Sequence, residues 1–87
     1  MLTGMQIRSA RGALRWSSAE LSVRSGVASR TIMRLEQFDG VPPSRSSTLM
    51  DIKAAIEAAG IEFIGTPDDA PGIRLRRPPA APVSREG

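Results

Sequence analysis

The residues with the most chemical capacity in this chain are its arginines, eleven of them against a single lysine, Lys53. A guanidinium is always charged and offers a planar fork of donors, so it suits the binding of phosphates and acceptor-rich partners rather than proton transfer. The other reactive types are missing. With no cysteine and no histidine, disulfides, thiol nucleophiles, Cys/His metal sites and the usual general base are all excluded. No Asp/Glu cluster suggests a carboxylate metal site, and no phosphate loop or nucleophile–base pair stands in the chain. The expectation is a binding protein without a cofactor, not an enzyme.

The charges are segregated. Residues 1–45 carry Arg8, Arg11, Arg15, Arg24, Arg30, Arg34 and Arg45 against Glu20, Glu36 and Asp39, a net of +4. Residues 46–69 carry Lys53 against Asp51, Glu57, Glu62, Asp68 and Asp69, a net of −4, and residues 70–87 return to +3. A basic N-terminal half points to a polyanion as partner for one face. Aromatic residues number three, Trp16, Phe38 and Phe63, too few to stack on single-stranded nucleic acid. No apolar run approaches the ~18 residues that span a membrane, and Met1 to Arg11 has no signal-peptide core. A cytoplasmic protein is expected, with no membrane partner.

Positioning these arginines requires helices. Thr3-Gly4-Met5-Gln6 has the form of a capping box, and Ile7, Ala10 and Leu14 follow at helical spacing, so a first helix is predicted over Gly4 to Leu14. Trp16 should pack back on the core. Ser17, with Glu20 three residues on, opens a second capping box and a short helix over Ser18 to Ser25. Gly26 stops it in a left-handed conformation. A third helix follows Val27, over about Ser29 to Gln37, with Ile32, Leu35 and Phe38 on its apolar side. Ser46 or Ser47 should cap a fourth helix, whose stripe is Leu49, Ile52, Ile56 and Ala59 and whose stop is Gly60.

Ile61 to Gly65 and Gly72 to Arg77 read as two strands. Pairing Ile61 with Leu75 and Phe63 with Ile73 puts all four on one face and sets Glu62 opposite Arg74. Residues 66–71 have turn composition. The predicted organisation is one domain over residues 1–77, ending in a hairpin at 61–77, and a Pro-rich disordered tail at 78–87. The fold class is mostly α, four helices followed by a short β-hairpin.

Two short helices joined by a tight Gly-containing turn form a unit with a known use. The second helix enters the DNA major groove and the first crosses the backbone. The unit needs an apolar seam, which Leu21, Val27, Ile32 and Leu35 supply. It also needs a bare outer face, which Ser29, Arg30, Met33 and Arg34 supply. Met5, Met33 and Met50 otherwise read as filler or surface residues with no cofactor implication.

The stretch Trp16 to Gln37, WSSAELSVRSGVASRTIMRLEQ, resembles the Cro/cI-type (XRE) helix-turn-helix family. That family's pattern is roughly L-S-Q-x-x-L-A-x-x-x-G-V-S-x-x-x-I-x-x-x-E, matched here at Ser17, Leu21, Gly26, Val27, Ile32 and Glu36. The resemblance covers about residues 3–60. It implies a lambda-repressor-like helical domain that binds double-stranded DNA sequence-specifically, usually as a homodimer and a transcriptional repressor of bacteria or phage. Segment 28–37 would enter the major groove. By position, Ser29 and Arg30 would reach base edges, Arg34 further bases or a phosphate, and Thr31 a phosphate. Ser18 stands where the family often has a backbone-binding Gln. Arg11 and Glu36 match positions that pair structurally. The hairpin replaces the family's common fifth helix.

The chain departs from the pattern at four places. Ser22 replaces a preferred Ala, and its hydroxyl could bond the carbonyl one turn back. Ala28 replaces the usual Ser/Thr cap of the third helix, Arg15 replaces a terminating Gly, and Gly12 sits inside the first helix. The competing expectation is a protein-interaction module, an antitoxin or anti-activator, that binds a toxin or regulator through the same helices or the hairpin.

Overall fold

Thr3 starts the first helix as its sequence dictates. Its Oγ1 accepts from the Gln6 amide at 3.0 Å, and the Gln6 Oε1 accepts from the Thr3 amide at 3.0 Å. In the computed structural model, which describes residues 2–76, this box opens α1, Gly4–Leu14. Arg15 closes α1 in the left-handed region, φ 58°, where glycine is the residue at ease.

Ser17 caps α2, Ser18–Ser25, by accepting from the Glu20 amide at 3.0 Å. Among the described residues the second arm of this box is not made. The Glu20 carboxylate instead pairs with Arg24, one turn ahead, at 2.6 Å. Gly26 ends α2 at φ 78° and donates to the Ser22 carbonyl at 2.8 Å. No atom crowds the place of its missing Cβ, so its requirement is conformational. The Ser22 hydroxyl makes no hydrogen bond with the described residues, against the expectation for it.

The third helix, α3, runs Ser29–Leu35, two residues shorter than its pattern predicts. Gln37 and Phe38 donate to the carbonyls of Arg34 and Leu35, three residues back, which tightens and ends the helix. Arg8 donates to the Glu36 carbonyl from α1, so the released backbone group is satisfied from outside the helix. Phe38 consequently leaves the apolar side and is exposed. Gly4 lies against this same turn. It donates to the Gly40 carbonyl at 2.9 Å, and any Cβ on it would collide with the carbonyls of Leu35 and Phe38.

The fourth helix, α4, spans Ser46–Ala58. Neither Ser46 nor Ser47 caps it: Arg45 takes the N-cap position and makes no side-chain cap bond. The helix begins at Ser46 itself, one residue too early for that serine to stand at its N-cap. Leu49, Ile52 and Ile56 are buried as the stripe predicts. They close a core with Ile7 and Ala10 of α1, Leu21 of α2, and Ile32 and Leu35 of α3, and Trp16 packs against it.

The chain ends in an antiparallel hairpin, β1 Ile61–Thr66 and β2 Asp69–Leu75. Its register is the expected one, Ile61 with Leu75, Glu62 with Arg74 and Phe63 with Ile73. Only Pro67 and Asp68 make the turn, because a bulge between Ile64 and Thr66 lets β2 begin at Asp69, earlier than Gly72. Gly65 enables the bulge at φ 77°, and the Ala70 carbonyl would collide with any Cβ there. Ile61 is buried, and Phe63 and Ile73 pack half-buried on the core. Leu75, at the last position of β2, is exposed, so the expected four-residue face is covered over three. Arg77 and the tail 78–87 lie outside the described residues.

Candidate nucleic-acid interface

The surface expected to read DNA is the outer side of α3. Ile32 and Leu35 are wholly buried, which fixes the helix's rotation. That rotation leaves Arg30, Met33 and Arg34 exposed and Ser29 and Thr31 half-buried. Ala28 precedes the helix with φ −57° and ψ 138° and provides no side-chain cap. Ser18, the first residue of α2, is half-buried, and its hydroxyl makes no hydrogen bond with the described residues.

The arginines divide into two sets. Arg8, Arg11 and Arg24, and on the hairpin Arg74 and Arg76, are committed to internal partners. Arg11 meets Glu36 at two points, Nε to Oε2 at 2.8 Å and Nη2 to Oε1 at 2.9 Å, and donates from Nη1 to the Trp16 carbonyl at 3.0 Å. The pairing implied by the resemblance is therefore present. The hydrogen bond to Glu36 raises the Arg11 pKa above its ordinary value, partial burial opposes this, and the charge of Glu36 adds to it. A raised arginine pKa means a contribution that stands below the ordinary arginine range and fades only above it. Arg8 adds an exposed ion pair with Asp39 at 3.3 Å. Arg24 lies over the Trp16 ring, 4.4 Å from its centroid, a cation–π contact.

The second set faces solvent. The Arg30 side chain has no hydrogen-bond or ion-pair partner among the described residues, and neither does that of Arg45. Arg34 donates from Nη1 to the Pro43 carbonyl at 3.2 Å. This bond ties α3 to the loop before α4, and Arg45 follows two residues later at the N-cap of α4. The structure thus brings Arg34 beside a loop that carries a further cation, Arg45, which the sequence reading did not single out. The i, i+4 spacing of Glu20 and Arg24 was a signal for their pair. Arg8 and Arg45 had no such local signal.

Among the described residues no group of three or more Asp or Glu could hold a metal ion, and no helix is long and apolar enough to cross a membrane. No protein-family model and no curated protein matches the chain.

Proposed function

We propose that this chain is a sequence-specific double-stranded DNA-binding regulator of the Cro/cI-type helix-turn-helix family, with a lambda-repressor-like fold. In this reading it is a cytoplasmic homodimeric repressor that inserts α3 into the major groove. One observation carries the reading: α3 buries Ile32 and Leu35 completely while Arg30 stands exposed with no partner among the described residues. A guanidinium fork left unpaired in this way can bridge O6 and N7 of guanine, worth ~1–3 kcal/mol of discrimination. Ser29 supports Arg30 at the start of the helix. Arg34, Arg45, Thr31 and Ser18 serve the phosphates, which supply affinity and register but no sequence information. Arg11 and Glu36 hold the end of α3 to α1.

Anisotropy with the duplex upstream of the chain's own coding sequence tests this. Sub-micromolar binding that weakens steeply with salt is expected, because each neutralised phosphate contributes a slope of about −0.9 in log K against log salt. Equal binding to random duplex refutes it.

A second reading, a protein-interaction module such as an antitoxin or anti-activator, draws on a different surface. A recess of about 250 Å3 between α1, α4 and β1 is lined by Leu2, Leu49, Met50 and Phe63, with Lys53 beside them. Pull-down from native extract with the Arg30→Ala variant separates the two readings: a stoichiometric partner retained by this variant favours the module.

A further inference from the structure

We infer that Met33 reads the 5-methyl group of a thymine in the major groove. The inference rests on the DNA-binding reading and deepens it by naming a base.

Met33 is 51% exposed on a helix whose inward positions, Ile32 and Leu35, are fully buried. It takes no part in the core or in the shell packed against it. Arg30, Met33 and Arg34 stand at i, i+3 and i+4, so they share one side of α3. That side is cationic except for this thioether. Arg34 engages the Pro43 carbonyl, which leaves the middle of the face to Arg30 and Met33. Packing within the described residues makes no use of this apolar side chain, which leaves it free to meet a partner on the face that Arg30 and Arg34 share.

The major groove narrows the choice of partner. Guanine offers two acceptors, adenine an acceptor and a donor, cytosine a donor, and thymine an acceptor and a methyl group. The thymine methyl is thus the apolar feature of the groove. A thioether cannot serve the acceptors there as Arg30 can, but it can close on a methyl. Its unbranched, polarisable chain adapts to the small changes of position that docking brings.

The test uses the full chain and the duplex it enriches from a random-sequence library. Each thymine of that duplex is replaced in turn by deoxyuracil, which removes the methyl and keeps every hydrogen-bonding group. At one position per half-site the wild-type protein should lose about fourfold in affinity, the equivalent of ~0.8 kcal/mol for one buried methylene-sized group. The Met33→Ala variant should bind the thymine and deoxyuracil duplexes alike, and Met33→Leu should restore most of the difference. Position 33 is exposed, so these variants should fold. Deoxyuracil that is neutral at every position, an effect that persists unchanged in Met33→Ala, or an enriched site without thymine overturns the inference while leaving DNA binding in place. Failure to enrich any duplex overturns the DNA-binding reading itself, and this inference with it.

Discussion

The Arg11 guanidinium and the Glu36 carboxylate meet at two points across the junction of α1 and α3, at 2.8 and 2.9 Å. The Glu36 side chain is 8% exposed and that of Arg11 28%. Arg11→Met therefore strands a carboxylate in a poorly solvated place. Urea unfolding should show a loss of about 2–3 kcal/mol, toward the lower end for a buried pair because Arg11 is partly solvated. Adding Glu36→Leu should recover most of the loss, since no lone charge remains. Equal losses in the single and double variants would contradict the role given to the pair.

Gly4 is fixed by contact. Its Cα lies where a Cβ would strike the carbonyls of Leu35 and Phe38. Gly4→Ala should lower stability by at least ~2 kcal/mol, although alanine is the better helix former. Gly12 lies in the same helix with open space around it. Gly12→Ala should instead stabilise by about 1 kcal/mol. Thermal melts of the two variants should move in opposite directions.

This contrast marks what the sequence could reveal. Helix starts and stops were legible where a local device sets them, as at Thr3 with Gln6, at Ser17 and at Gly26. The hairpin register was legible because alternation and charge agree at Ile61, Glu62 and Phe63. What was hidden arises when distant segments meet. The close approach at Gly4, the Arg8 bond that finishes α3 at Glu36 and the Arg34 bond to Pro43 depend on how helices cross, and no short-range pattern encodes them. On the candidate site, the residues of the outer face of α3 were legible from periodicity. Which arginines are already occupied was legible at Arg11 from the resemblance, at Arg24 from its spacing to Glu20 and at Arg74 from its register with Glu62, but not at Arg8 or Arg34.

Gln6 is the plainest case of a hidden contact. Its Nε2 donates to the carbonyls of Ile64 at 3.2 Å and Gly72 at 2.9 Å, clasping the hairpin to α1. Its sequence role was the capping box alone. Gln6→Leu should cost about 2 kcal/mol through the lost bonds and cap. Hydrogen exchange should show faster exchange across residues 61–75 than across α2. Uniform acceleration over the whole chain would contradict a local clasp.

Arg15 sits at φ 58° and ψ 35°, its amide donating to the carbonyls of Arg11 and Gly12 and its side chain without a partner among the described residues. A side chain there costs roughly 1 kcal/mol relative to glycine, offset in part by the freedom glycine has when unfolded. Arg15→Gly should raise stability by about 0.5 kcal/mol. A lower melting temperature would contradict the strain assigned to this position.

Arg30, its side chain unpaired among the described residues on α3, is the residue proposed to read sequence. This role is tested most directly by titrating the enriched duplex and a scrambled duplex with the wild-type chain and with Arg30→Ala, at several salt concentrations. Arg30→Ala should lose about 5- to 150-fold on the enriched duplex, the equivalent of ~1–3 kcal/mol. Its weak binding to the scrambled duplex should stay nearly unchanged. Wild-type binding that does not distinguish the two duplexes, or an Arg30→Ala variant that weakens on both alike, would contradict it.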